Sequence, residues 1–370
     1  MPLTSMERVL KAIKFEPVDR MPILPFGDQF AIKQAGYLFR DAVYSPAKWA
    51  EGYARTRERF GLDCVFDQCC SEGNADLGLP KNAYQPEDDM SYYPQPYFIQ
   101  EPEDIKRVKP PEDPWDNQMM RRTLLTVQKL REYVGPDVPI VSTVTGPFRM
   151  AGVLRGFDVL AIDTVDRPQW VHDLLETITQ GAIRLGKALV DAGADFTISF
   201  DPTTSASFVS VKTYLEFGYP YVKKMWQGIR AAGAKGIFFH FCGETMDRIH
   251  ISAGDCDLLA PDIVDLGAVY EKIGRTGALL GANIPITNVL LKGTPTEVER
   301  CTIQTILKTE GYVSQSGSCH IPRHTPATNF DTWMKASRDY GTHPIDLDAL
   351  RKRLEQLPPL ACDERLRGFN

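Results

Sequence analysis

The chain has 370 residues, 43% of them hydrophobic and 24% charged, the balance of a soluble globular protein with ample chain to bury a large core. A formal net charge of −6, with both signs interspersed, excludes an electrostatic role on nucleic acid, and no apolar run approaches the roughly 18 residues of a membrane helix. Eight cysteines in a chain this long do not form a disulfide framework, and "MPLTSMERVLKAIKFEPVDR" has no signal-peptide core, so the expectation is a cytoplasmic protein whose thiols are core residues, nucleophiles or metal ligands.

In chain order, Thr4-x-x-Glu7 ahead of Met6, Val9, Leu10 and Ile13 predicts a capping box and an N-terminal helix over about residues 1–19. "RMPILPFGD" (20–28) follows as the first candidate strand. Ser45-Pro46 opens a helix that Gly61 stops. "GLDCVFDQC" (61–69) is the second candidate strand, and a Pro-, Asp- and Tyr-rich excursion over about 80–114 comes after it. Then come "VPIVSTVTG" (138–146), "GADFTISFD" (193–201), "AKGIFFHF" (234–241), "DCDLLAPD" (255–262), "GALLGAN" (277–283) and "GYVSQSG" (311–317), with helical patterns between them. Thr294-Pro295-x-Glu297 and Thr325-Pro326 open two late helices, the second ending at Gly341. Eight short strands, apolar on both faces and alternating with helices, predict an α/β fold: a (β/α)8 TIM barrel with an N-terminal helical extension, one domain over 1–370. A doubly wound open sheet is the competing architecture, but no G-x-G-x-x-G follows an early strand.

Catalytic groups of such a barrel sit where strands end. Those ends carry Asp28, Asp67 to Glu72, Thr145, Asp201, His240 and Cys242, Asp262, Asn283 and Cys319. Asp and Asn also form turns for local reasons, so any single one reads equally as a turn former.

His240-x-Cys242 is sharper. Alternation along a strand puts residues i and i+2 on one side, where an imidazole and a thiolate converge on one ion. Zinc takes such ligands, and a catalytic site uses three with a fourth position open. Cys319, just past the last strand, is the candidate third ligand. On spacing alone the alternatives stand: a core His beside a core Cys, or a separate cluster of Cys319, His320 and His324. Cys69-Cys70 fits less well, because adjacent side chains of an extended segment point apart.

Several segments together resemble the uroporphyrinogen decarboxylase superfamily, and within it the zinc-containing branch of methylcobamide:coenzyme M methyltransferases. They are "ERVLKAIKFEPVDRMPILP", "TVTGPFRMAGVLRG", "DAGADFTISFDPTTSASFVSVKTYLEFGYPYVKKM", "HFCGETMDRI", "ALLGANIP" and "GYVSQSGSCHIPRHTPATNFDTWMKASRDYG", nearly the whole chain. The family's zinc pattern, His-x-Cys and then a Cys in the last strand's loop, falls on His240, Cys242 and Cys319. Two departures stand out: Ser318 precedes the distal cysteine, and His320 and His324 follow it, the default for both histidines being solvated loop residues. Decarboxylases of the superfamily carry arginines near strand one where this chain has "IKQAGYLFR", with Lys33 and Tyr37 instead.

The resemblance implies Zn2+ at His240, Cys242 and Cys319, and a corrinoid (methylcobamide) supplied by a separate carrier protein, since the D-x-H-x-x-G cobalt-ligating segment of carriers is absent. It implies methyl transfer between that corrinoid and a small molecule, either a thiol acceptor or a methylated donor. Asp201 and Asn283 are candidates to orient the substrate, and Glu72 to serve as a fourth ligand or a base. A metal-free decarboxylase of porphyrinogen-like substrates and a non-catalytic, corrinoid-protein-binding or structural zinc protein are the competing readings.

Overall fold

The computed structural model describes residues 2–67, 77–80, 86–89, 96–262 and 264–360. Its centre is a curled sheet of seven parallel strands in sequence order: β1 (Val65–Phe66), β2 (Ile140–Thr143), β3 (Phe196–Phe200), β4 (Gly236–Phe241), β5 (Leu258–Pro261), β6 (Leu279–Gly281) and β7 (Val313–Ser314). Every strand residue is buried, because helices cover the outside and side chains fill the inside. All seven lie within segments whose two-sided apolar character predicts strands.

The remaining candidate strand, 20–28, departs from expectation. It forms a single parallel bridge, Ile23 to Gln315, instead of a ladder. Leu24 N–H donates to Gln315 O at 2.9 Å and Gln315 N–H to Pro22 O at 2.8 Å, while Asp63 N–H at the foot of β1 donates to Ile23 O at 2.9 Å. The segment therefore bridges the last strand and the approach to the first. Pro22 and Pro25 explain its brevity, since each removes a ladder donor.

Carboxylates at the feet of the strands secure the neighbouring backbone. Asp63 accepts Ile23 N–H (2.8 Å), Asp195 accepts Ile140 N–H (3.0 Å) and Asp257 accepts Ile237 N–H (2.6 Å). Three buried tryptophans tie outer helices to the sheet: Trp49 Nε1 donates to Phe66 O, Trp226 Nε1 to Ser199 Oγ and Trp333 Nε1 to Gln315 Oε1, all at 2.8–2.9 Å.

Helix ends follow their signals. The capping boxes at Thr4/Glu7 and Thr294/Glu297 both form, and Ser45 caps Pro46–Phe60, which Gly61 ends in the left-handed region (φ 67°). The N-terminal helix, however, spans only Ser5–Ala12, not residues 1–19. Phe15 takes φ 56° and Pro17 follows, which together stop the helix. Within the 80–114 excursion, Ile99 and Val108 are buried in a satellite core with Leu154, Leu160 and Leu174.

Candidate metal centre

At the C-terminal ends of the strands, His240, Cys242 and Cys319 present one nitrogen and two sulfurs that all lie within 4.8 Å of one another. Among the described residues they are the one group of three or more His, Cys, Asp or Glu side chains so arranged. His240 belongs to β4, and Cys242 follows the strand on the same side. Cys319 arrives from β7, two strands beyond β4's neighbour β5, because its loop turns inward. Gly317 takes φ 78° there, Ser318 N–H donates to Ile284 O (3.0 Å), and Ile321 N–H donates to Phe26 O (2.7 Å).

The imidazole is preset for coordination. His240 is fully buried, and its Nδ1 lies 3.0 Å from Ala260 O, an acceptor only, so Nδ1 carries the proton. The other nitrogen, Nε2, is buried with no hydrogen-bond partner. An orphaned buried lone pair is costly unless something electrophilic meets it. The rings of Phe26 and Phe200 close the sides, with centroids 5.4 and 5.3 Å from that of the imidazole.

The sulfurs divide one proton between them. Cys319 is held well below the usual thiol range by the hydrogen bond from Cys242 and by the nearby His240, and Cys242 is pushed up as the donor of that bond. By contrast, Cys64, Cys256 and Cys301 are buried thiols pushed upward by desolvation, as inert core cysteines are. The donor set fits zinc: one neutral imidazole and two thiolates, with the imidazole's far nitrogen held by a carbonyl. A tetrahedral shell needs its ligand atoms about 3.3–3.8 Å apart, which the observed grouping accommodates.

The other expected residues take varied places. Asp201, past β3, is 1% exposed and accepts from Thr203 Oγ1 (3.0 Å), and its backbone N–H donates to His240 O (3.3 Å). Burial pushes its carboxyl up to about 6, against the hydrogen bond from Thr203. Asn283, past β6, spends its Nδ2 on the carbonyls of Asp262 (3.0 Å) and Val264 (2.9 Å), leaving Oδ1 buried without a partner. Glu72, like Cys69 and Cys70, lies outside the described residues.

His320 departs from the solvated-loop expectation. Its ring stacks on Phe200 (centroids 4.8 Å, planes 27° apart), and Nδ1 lies 3.3 Å from Asp28 Oδ2. His324 is exposed, where it accepts from Arg323 Nε (3.0 Å). Lys33 and Tyr37 pair with Asp88 (3.0 Å) and Glu51 (2.6 Å). Two contributors escaped the sequence reading: Arg149, whose charge acts on both Cys242 and Asp201, and Phe26, which reaches His240 from the bridging segment. The quoted "TVTGPFRM" held the first, but a lone Arg in a helix carries no pattern.

Comparison with known proteins bears on this arrangement. A profile of the family described as uroporphyrinogen decarboxylase (URO-D) matches residues 4–340. The methylcobamide:CoM methyltransferase MtbA of Methanosarcina mazei is 24% identical over 351 residues, covering 91% of this chain and 98% of the relative. A methylated-thiol–coenzyme M methyltransferase of the same organism is 25% identical over 214 residues, 58% of this chain and 56% of that one. A solved methyltransferase structure from Methanosarcina mazei superposes with a TM-score of 0.81 at 23% identity, covering 91% of this chain and 99% of that one, and so shares the fold.

Proposed function

Because the chain belongs to the uroporphyrinogen decarboxylase family and stands on its methyltransferase branch, we propose that it is a zinc-dependent enzyme that moves a methyl group between a corrinoid on a separate carrier protein and a thiol or a methylated small molecule. The observation that carries this reading is the buried, unpartnered His240 Nε2 facing two cysteine sulfurs.

Zn2+ held by His240, Cys242 and Cys319 would supply either a thiol ionised at neutral pH or a Lewis acid on the heteroatom of a methylated donor. The protein's own residues prepare for it. Ala260 O accepts from Nδ1 and so orients the ring with Nε2 toward the two sulfurs. Cys319 is held toward the thiolate and Cys242 toward the thiol, so the pair would offer a bound cation one sulfur already inclined to carry negative charge. Two thiolate charges leave the ligand set electron-rich, which favours a nucleophilic fourth ligand over a strongly acidic one. Phe26 and Phe200 keep water from the imidazole. Asp201, balanced near pH 6 by burial, is the group proposed to orient the substrate at the β3 exit. Asn283 holds the exit of β5 in place, and a role for Glu72 as fourth ligand or base belongs to the same proposal.

The test is metal content together with methyl transfer from methylcobalamin to coenzyme M. Wild-type protein is expected to hold one zinc, and His240→Ala and Cys319→Ala to lose zinc and transfer together. Wild-type protein active without metal sinks the reading. A porphyrinogen decarboxylase would instead keep full activity in Cys242→Ala.

A further inference from the structure

Where β3 and β4 end, the ladder between them stops and a buried arginine takes over. The ladder pairs Phe200 with His240, and the N–H of Asp201 still donates to His240 O at 3.3 Å, but beyond that point both loops leave the sheet. We infer that Arg248, in the loop that follows Cys242, is a positioning residue: its guanidinium holds the turn Pro202–Thr204, and through it the Asp201 carboxylate, at a fixed offset from the metal ligands. The inference rests on the reading of Asp201 as the group that orients the substrate, and deepens it.

Arg248 is 1% exposed. Its Nη1 donates to Thr204 O at 2.8 Å and to Val209 O at 2.9 Å, carbonyls 44 and 39 residues away in the chain. Both belong to buried residues, where an unmet carbonyl is costly. Nε and Nη2 fork onto the two carboxylate oxygens of Asp247, each at 2.8 Å, which fixes the plane of the guanidinium. A second tie joins the same two loops, because Ala206 N–H donates to Glu244 O at 2.9 Å.

The turn passes its position on to Asp201. Pro202–Thr204 forms one 3-10 turn directly after that residue, and Thr203 Oγ1 donates to Asp201 Oδ1 at 3.0 Å. The π-helical segment Tyr214–Gly218 packs against the turn so closely that a Cβ on Gly218 would lie 2.9 Å from Thr204 Cγ2. Gly146 approaches Asp201 itself, where a Cβ would meet Oδ2 at 3.0 Å. A carboxylate confined in this way moves only with its turn, and Arg248 grips the turn from the loop that carries Cys242. The residue type matters. A planar fork with five donors meets a carboxylate and two carbonyls at once, whereas a lysine offers three donors from a single point.

The experiment measures methyl transfer from methylcobalamin to coenzyme M per bound zinc, with kcat and KM separated, together with the absorption spectrum of the Co2+-loaded full chain. Arg248→Ala is expected to keep its zinc and the wild-type cobalt spectrum while kcat per zinc falls about 10–100-fold, the loss that a misplacement on the order of 1 Å brings. Arg248→Lys should recover part of that loss. Asp201→Asn should also lower transfer per zinc, and adding Arg248→Ala to it should cost little more, since both act through one carboxylate. The inference is overturned if Arg248→Ala transfers within about threefold of wild type per zinc, if zinc and transfer fall in step, or if the two substitutions add in full. Should Arg248→Ala fail to fold, Arg248→Lys decides: lower transfer per zinc supports the inference, and wild-type transfer overturns it. Wild-type transfer without metal, or full activity in Asp201→Asn, removes the underlying reading and this inference together. An impaired Asp201→Asn beside indifferent Arg248 variants removes the inference alone.

Discussion

Asp63→Ala removes the carboxylate on which the start of the chain closes against the sheet. Asp63 is fully buried. It accepts from Arg8 Nη1 (2.7 Å), Arg20 Nη1 (2.6 Å) and Nη2 (2.9 Å), Ser5 Oγ (3.0 Å) and the Ile23 N–H (2.8 Å). Without it, Arg8, only 5% exposed, loses one of its two acidic partners, and a fully buried backbone donor at Ile23 is orphaned. Breaking a buried ion pair costs about 3–5 kcal/mol and orphaning a buried N–H about 1–3 kcal/mol. The two do not add in full, because Arg8 keeps Asp19 at 2.7 Å and Arg20 keeps the Met21 carbonyl at 2.9 Å. The expected loss is therefore about 4–5 kcal/mol, with Asp63→Asn, which keeps an acceptor for Ile23, losing roughly half of that. Urea unfolding followed by far-ultraviolet circular dichroism and by tryptophan fluorescence gives the change in midpoint at constant slope. A loss below about 1 kcal/mol in Asp63→Ala would mean that closure does not depend on this carboxylate.

Asp19 supplies a pH dependence. Burial opposes its ionisation, but the Arg8 hydrogen bond and charge hold it at about 2, below the ordinary 3.8. Its contribution is thus fully present above pH 3.8 and is lost as pH falls toward 2, so Asp19→Asn should flatten acid unfolding in that window while changing little of its shape at higher pH; an unchanged acid limb refutes the assignment. Gly146→Ala tests Asp201. The backbone there (φ −58°) accepts alanine, but the new Cβ would lie 3.0 Å from Asp201 Oδ2. Methyl transfer should fall while zinc content holds, at a stability cost of about 1 kcal/mol, and full activity would argue that the exact placement of Asp201 is immaterial.

The strands were legible as short runs apolar on both faces, and the candidate trio because a His-x-Cys at a strand end and a Cys past the last strand together match the family pattern. His-x-Cys at a strand end puts two donors on one side whatever else the fold does. What decides whether they bind a metal lies elsewhere in the chain, in the Ala260 carbonyl that frees Nε2 and the Gly317 turn that swings Cys319 inward. The first candidate strand was overread because hydrophobicity outweighed Pro22 and Pro25, and the first helix because Pro17 was not weighed against the apolar run before it. Asp262 was visible only as a strand-end acid, since a carboxylate that forms its own turn and one that accepts the Gly243 N–H 19 residues away look alike in one dimension.

The bridge between Ile23 and Gln315 sets a clock on the birth of the protein. At ribosomal speeds of about 5–20 residues per second, the segment from Pro22 to Phe26 waits on the order of 15–60 s for its partner strand to be made. Throughout that wait Ile23, Leu24 and Phe26, all buried in the finished fold, lack the part of their cover that the last strand and its loop supply. Cys319 emerges last of the ligands, so the site is assembled in the same closing event. A nascent chain arrested before that strand therefore presents an amino-terminal ribbon without its closing partner and a candidate metal site short of Cys319 at once, a form suited to capture by chaperones.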